Sequence, residues 1–296
     1  MTGFIVLDKP EGITSFKANA AVRSALMAKK TGHTGTLDPM ATGVLPIAIG
    51  SSARFIDLLP NHEKSYTASF RLGETTDTLD ITGKLLTRSD TVPSFDETVN
   101  VFAEFTGEIT QLPPMYSAIK KDGVRLYELA RQGIEIEREA RNVTLNKLEL
   151  VSFTDGEYTV SVDCSQGTYI RSLISDIGER LGCGAVMTKL RRTFSNGFSI
   201  SDAHTAEQIK TAAADGTLSS LIIPTDRVLS DYPSVAVSEA QAKRFRNGGE
   251  LDTDRLKVHL TPGYYRVYAP DGVFLGLGEL RNDESFLRIK RILNDA

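Results

Sequence analysis

Apolar and polar positions alternate with a period of two in two stretches of the chain, the mark of a strand with one buried side. In Lys64–Gly73, Tyr66, Ala68, Phe70 and Leu72 share one face, and Ser65, Thr67, Ser69 and Arg71 share the other. Tyr158–Cys164 alternates in the same way. The short apolar runs Phe4–Leu7 and Leu45–Ile49 predict buried strands, the first closed by the turn formers Asp8-Lys9-Pro10-Glu11-Gly12. Further strands are predicted at Val143–Phe153 and, briefly, around Leu190. Helical spacing connects Ile170, Leu173, Ile174, Ile177 and Leu181, with Thr168 opening the helix and Gly182 ending it.

Capping residues place the other helices. Thr14 or Ser15 starts one that runs to about Met27, with Phe16, Ala20 and Leu26 on its buried side. Ser51-Ser52 opens a short helix through Leu59, and Ser94 with Glu97 forms a capping box ahead of a helix through Phe105. Val124–Gln132, Thr205–Ala214 and Ser238–Phe245 complete the set. Beyond Pro224 the texture becomes β-rich, with strands at Leu256–Leu260, Tyr264–Tyr268, Val273–Leu277 and Phe286–Ile292 and a hairpin turn at Pro270-Asp271-Gly272. Strands and helices do not alternate as βαβ units. The fold class is therefore α+β, with a mainly antiparallel mixed sheet flanked by helices in residues 1–230 and a small β-rich unit in 231–296.

Composition changes this picture little. A chain of 296 residues with 24% charged residues and a net charge of −4 is an ordinary globular protein and does not advertise a polyanion partner. Phosphate binding needs a local basic surface, however, and Lys29-Lys30, Lys120-Lys121 with Arg125, and Lys189 with Arg191-Arg192 are candidates. No apolar run is long enough to span a bilayer and no signal pattern opens the chain, so a cytoplasmic location is expected. The two cysteines, Cys164 and Cys183, form no disulfide framework, and the four histidines show no ligand spacing, so no metal is expected.

Chemistry concentrates in Gly32-His33-Thr34-Gly35-Thr36-Leu37-Asp38-Pro39-Met40-Ala41-Thr42-Gly43. Glycines and threonines build a stiff loop, and Pro39 biases Asp38 toward extended geometry, so that the loop presents one acid. The loop lacks the Gly-Lys-Ser/Thr ending of a phosphate-binding P-loop. By residue type alone Asp38 is either a turn residue or a reactive carboxylate. Arg171, in the first turn of its helix, is either a local ion pair or the cation that orients such a carboxylate. Tyr66 and Tyr169 are either core or aromatic surfaces for a flat base.

The Gly32–Gly43 stretch closely resembles a defining motif of the TruB family of pseudouridine synthases. Asp8–Ser15, Lys64–Ala68, Gly167–Arg171, Leu190–Thr193 and Pro113–Lys120 resemble further family motifs, in the family's order. Met40 stands where leucine is usual, and Gln166 where lysine is frequent. The resemblance implies isomerisation of the T-loop uridine of tRNA to pseudouridine on a flipped-out base, without cofactor or metal. It identifies Asp38 as the nucleophile, Arg171 as its partner and Tyr66 as the tyrosine that stacks on the base and assists removal of the C5 proton. His33 corresponds to the residue filling the space left by the displaced uridine, and Tyr169 and Leu190 to substrate-pocket positions. Lys120, Lys121, Arg125, Arg191 and Arg192 are candidate contacts to the RNA backbone, the first three within an inserted RNA-gripping loop at about 110–142. The resemblance also implies a PUA-like RNA-binding unit in the β tail, a tRNA T-arm stem-loop as partner, no membrane, no obligate protein partner and action as a monomer. A guide-RNA-dependent branch shares the aspartate loop.

Overall fold

The computed structural model describes residues 1–294. A mixed sheet forms its centre. Along the main path its strands run in the order Ala203–His204, Gly3–Lys9, Thr42–Ile49, Ala185–Ser195, Lys64–Leu72, Glu157–Cys164, Arg141–Thr154 and Gly107–Gln111. Neighbours are antiparallel except for Gly3–Lys9 with Ala203–His204, and Thr42–Ile49 with Ala185–Ser195. The mainly antiparallel α+β class read from the sequence is the observed one. The alternation in Lys64–Leu72 has its expected consequence: Tyr66, Ala68 and Phe70 are buried and pack with Leu173, Ile174 and Ile177 of the Ile170–Arg180 helix. Burying each of the phenylalanine, leucine and isoleucine side chains contributes about 1.5–3 kcal/mol.

A second, five-stranded sheet follows in the order Ser234–Ala236, Gly263–Tyr268, Phe274–Leu280, Phe286–Ile292 and Leu251–Asp252. It encloses its own core around Phe245, Val267 and Leu287. Leu277 joins a separate cluster with Phe4, Val6 and Phe55 of the large unit. The residues 295–296 that close the expected 231–296 unit lie outside the described residues.

Four local expectations are corrected. The Ser15–Ala25 helix buries Ser15, Ala18 and Val22, while Phe16 is 75% exposed. Packing sets the buried face: the inward position goes to Ser15, whose hydroxyl bonds both the N–H and the carbonyl of Leu37. Val124 and Arg125 pair with Lys120 and Lys121 in a hairpin, and the helix is confined to Leu126–Ala130. The intervening Asp122-Gly123 takes positive φ at both positions, 52° and 83°, the demand of a type I′ turn. The strand around Leu190 is eleven residues long, Ala185–Ser195. Leu256–Leu260 is not a strand: a helical turn at Thr253–Arg255, capped by Asp252, precedes it, and Val258 is exposed.

Candidate active site

Asp38 lies in the connection between the Thr31–His33 and Thr42–Ile49 strands, and the loop is held from several sides. Ser15 clasps Leu37, the Gly12 N–H donates to the Pro39 carbonyl at 2.8 Å, and Ala41 N–H donates to the Asp38 carbonyl at 3.1 Å. Lys9 is wholly buried, and its ammonium donates to the carbonyls of Pro39 at 3.2 Å and Ala41 at 2.7 Å. Beneath the loop, Arg192 Nε donates to Val44 O at 2.8 Å, and its terminal nitrogens lie 3.5 Å from the Thr36 and Gly35 carbonyls. Gly43, at φ 98°, lets that strand approach: a β-carbon there would overlap the Arg192 carbonyl. Preorganisation of this kind removes the ordering cost from the reacting step.

Arg171 completes the arrangement. It stands in the first turn of the Ile170–Arg180 helix, and its side chain is 4% exposed. Its Nε meets Asp38 Oδ2 at 2.9 Å, while its other nitrogens donate to Thr78 O at 2.9 Å and Tyr116 O at 2.8 Å. Asp80 Oδ2 lies 3.9 Å away. One guanidinium thus joins the aspartate loop, the 77–84 turn and the inserted segment. The Asp38 side chain stays 34% exposed, so one side of it opens outward. Enclosure pushes its carboxyl above the ordinary carboxylate value, Arg171 pulls it down, and the like charge of Asp80 pushes it up again. A raised carboxylate pKa goes with higher basicity and so with a better nucleophile once ionised.

Tyr66 pairs across the sheet with Arg192 and with Val162 and is 6% exposed. Burial pushes its phenol up to about 12, against the pull of the Arg192 guanidinium, so it stays protonated at neutral pH. Leu190 sits beside Ala68 in the same cluster as Tyr66, Leu37 and Met40. Tyr169 caps the Arg171 helix, its backbone bracketed by Gln111, which accepts from Tyr169 N at 2.7 Å and donates to Tyr169 O at 3.0 Å. Burial raises the Tyr169 phenol, and the charges of Asp38 and Arg171 act on it. His33 precedes the loop, and burial and then the Arg192 charge lower its imidazole, which favours the neutral ring. Asp38, Tyr66, Arg171, Tyr169 and Leu190 therefore lie close together, although they are scattered from residue 38 to residue 190, with His33 at the start of the loop.

The backbone candidates divide. Lys120, Lys121 and Arg125 are exposed on the hairpin, where Lys121 donates to Glu137 O at 2.7 Å and Arg125 stacks 5.8 Å from the Tyr127 ring centroid. Arg191 forms a two-point ion pair with Asp8, at 3.1 and 2.8 Å, and stays 42% exposed. Arg192 is corrected: at 0% exposure beneath the loop it has no surface to offer a phosphate. The adjacent pair reads as one basic cluster in sequence, but a strand sends its neighbours to opposite faces.

Lys9, Asp80 and Gln111 were not singled out from the sequence. Lys9 carried a signal, a lysine closing an otherwise apolar strand, and the Thr78-Leu79-Asp80-Ile81-Thr82-Gly83 turn carried another. Asp80 Oδ1 accepts from Thr78 Oγ1 and Thr82 N, both at 2.9 Å, and so stiffens the turn that offers Thr78 O to Arg171. Gln111 carried none. Among the described residues, no three His, Cys, Asp or Glu side chains converge as a metal would require.

Known proteins share this chain's sequence and fold. Residues 23–170 match the model described as TruB family pseudouridylate synthase (N terminal domain). The chain belongs to the TruB family. Residues 171–230 match the tRNA pseudouridylate synthase B C-terminal domain, and 233–293 match pseudouridine synthase II TruB, C-terminal. A tRNA pseudouridine synthase B of Pseudomonas fluorescens is 44% identical over 288 residues, 96% of this chain and 93% of that protein. One from Clostridium kluyveri is 40% identical over 98% of this chain and 99% of its own. In fold, a protein in a structure titled as an H/ACA RNP bound to a substrate RNA containing 2′-deoxyuridine superposes with a TM-score of 0.73. It is 24% identical, and the match covers 99% of this chain and 85% of that one.

Proposed function

We propose that this protein is a tRNA pseudouridine synthase that isomerises a loop uridine to pseudouridine, with Asp38 as nucleophile. The observation that carries the reading is the Asp38–Arg171 contact of 2.9 Å, in a loop whose backbone is already tied down and whose acid opens on one side. Flipping a uridine out of its stack costs about a few kcal/mol, least in a loop, and leaves base and ribose free to reach such a site. Two routes suit an ionised carboxylate there: attack on ribose C1′, or addition to C6 of the base. In either, the glycosidic bond breaks, the base turns and C5 is joined to C1′. The C5 proton is then lost.

Tyr66 offers its ring to the base. As a neutral phenol it relays a proton through its hydroxyl and does not act as a phenolate. Tyr169 and Leu190 border the same pocket, and His33 occupies the gap left in the RNA stack. Lys120, Lys121 and Arg125, with Arg191 at the rim, meet backbone phosphates, and the 234–292 sheet serves as a second RNA-binding unit. Action as a monomer without an obligate protein partner completes the reading. Among the described residues, no helix is long and apolar enough to cross a membrane, and two unpaired cysteines suit a cytoplasmic setting.

The test is incubation of the purified protein with a bare tRNA T-arm stem-loop, followed by carbodiimide mapping of pseudouridine. Stoichiometric conversion of one loop uridine is expected. Absence of conversion, or conversion only when a guide RNA and partner proteins are added, overturns the reading.

A further inference from the structure

The helix that carries Arg171 begins without a capping side chain of its own. Its first turn is held from outside, by the root of the inserted segment. Gln111 accepts from Tyr169 N at 2.7 Å and donates to Tyr169 O at 3.0 Å. Leu112 O accepts from Ser172 Oγ at 2.9 Å, and Tyr116 O accepts from Arg171 Nη2 at 2.8 Å. Residues 111, 112 and 116 thus hold residues 169, 172 and 171.

The residue types suit this task. A carboxamide presents a donor and an acceptor side by side, so it pairs with both polar groups of one residue's backbone. An ionised carboxylate only accepts, and an ammonium only donates. Gln111 is 2% exposed, a depth at which a peptide group left without partners is costly. It ends the Gly107–Gln111 strand opposite Arg141, so the segment leaves the sheet and returns to it at this point. Pro113 and Pro114 follow, both buried; with fixed φ and no N–H they keep the chain out of helix and ladder and stiffen it. The carbonyls of Leu112 and Tyr116, on either side of them, go to the helix instead.

The root is continuous with the exposed tip. Tyr127 N donates to Ser117 O at 3.1 Å and Leu126 N to Ile119 O at 2.9 Å, which ties the Leu126–Ala130 helix to the residues beside Tyr116. Arg138 Nη1 donates to Pro113 O at 3.0 Å and fastens the returning limb to the same root. Contacts therefore run from the Lys120–Arg125 hairpin through Ser117 and Tyr116 to Arg171, and from Arg171 Nε to Asp38 Oδ2 at 2.9 Å. A guanidinium is planar and rigid, so re-aiming one of its N–H groups re-aims the others.

We propose that the root of the inserted segment, with Gln111 as its positioning residue, sets the aim of Arg171 on Asp38, so that the segment governs the rate of the chemical step as well as the grip on RNA. The proposal rests on the RNA-modifying reading of the Asp38 site.

The test uses the full-length chain with Gln111→Met, which keeps the length of the side chain and removes both hydrogen bonds. Single-turnover pseudouridine formation is followed on a T-arm stem-loop at saturating protein across a pH series, and the dissociation constant is taken with Asp38→Asn added. The rate constant is expected to fall about 10–100-fold, the scale of a displacement near 1 Å, while the dissociation constant stays within about threefold. Arg171 pulls the Asp38 carboxyl down, so a loosened contact lets it rise, and the acid limb of the rate profile should move to higher pH. Asp80 and Lys9, whose charges also act on Asp38, are untouched by the substitution. A loss of folding alone leaves that limb in place. Ser172→Ala removes one bond to the root with a good helix former, and should move both readouts in the same directions by less; it serves if Gln111→Met does not fold. An unchanged rate constant, a fall with the acid limb unmoved, or a loss confined to RNA affinity overturns the proposal. If the unsubstituted protein converts no uridine, the catalytic reading fails and the proposal with it; if it converts one and the variants match it, the proposal alone fails.

Discussion

Around Asp38 the cationic side chains are enclosed and bound to the protein's own oxygens, whereas in the inserted hairpin they stand in solvent. Arg171 is bound to Asp38, Thr78 and Tyr116; Lys9 to Pro39 and Ala41; Arg192 to Val44. Lys120 and Arg125 are exposed and contact no carboxylate among the described residues. The residue types are the same in both places, and burial separates their work. An enclosed cation is costly unless it is hydrogen-bonded, so it fixes the backbone that satisfies it. An exposed cation fixes nothing and keeps its charge for a phosphate.

The contrast breaks most sharply at the acid itself. Asp38→Asn is expected to reduce pseudouridine formation on the order of 10⁴-fold or more while RNA affinity stays within a few-fold. Its effect on stability has a definite sign. Because enclosure raises Asp38, the folded state holds its proton more tightly than the unfolded chain, and stability falls as pH rises from 3.8 through the folded value. At neutral pH, well above the ordinary carboxylate value, the raised pKa costs stability, so the thermal midpoint of the variant should be equal to or above that of the parent. A lower midpoint would show that the carboxylate serves the fold.

Tyr66→Phe is expected to lower kcat by about 10²–10⁴-fold with KM little changed, if the hydroxyl relays the proton. An unchanged kcat in single-turnover assays would leave the ring as a stacking surface alone. Arg192→Met comes next. It strips donors from buried carbonyls at about 1–3 kcal/mol for each group left unpaired, read as a shift in denaturant midpoint. The joint change of Lys120, Lys121 and Arg125 to Ala should move stability by less than about 0.5 kcal/mol. It should instead weaken RNA binding, and the slope of log K against log salt should shrink by about 0.7 for each single-strand phosphate that the hairpin no longer neutralises. A stability loss in the hairpin variant, or a salt-slope change in Arg192→Met, would erase the distinction between the two regions.

The smallest effect concerns Lys9, which burial brings to about 8 against the opposing pull of Asp38. Its folded value lies below the ordinary 10.5, so the unfolded chain binds more protons between these values, and stability should rise with pH across that window. In Lys9→Met the slope in that window should flatten. An unaltered slope would mean that the ammonium is freely hydrated.

Much of the fold was legible because local patterns and tertiary demands agree. The alternation in Lys64–Leu72 and the Ile170–Arg180 spacing each describe a buried face that the structure uses, and the capping box at Ser94 and Glu97 starts the helix it marks. The miss at Val124–Gln132 had a local sign in Asp122-Gly123, outweighed by an apparently helical run after it. Phe16 had none, because a short helix with small residues on both sides leaves its phase to whatever it packs against.

The site divides along the same line. The sequence, through its resemblance to the TruB family, determined which residues are proposed to carry the chemistry: a glycine- and threonine-rich loop with one acid, a tyrosine on a strand and an arginine in the first turn of a helix. Tertiary structure alone decided what each one faces. Arg191 and Arg192 are adjacent in the chain, yet the pleat sends one to Asp8 at the surface and the other beneath the aspartate loop. Gln111, Asp80 and Lys9 joined the site through contacts that reach 91 positions along the chain, as from Asp80 to Arg171. A residue's type records what it can bind, and its partners are set by where strands and turns bring distant oxygens together.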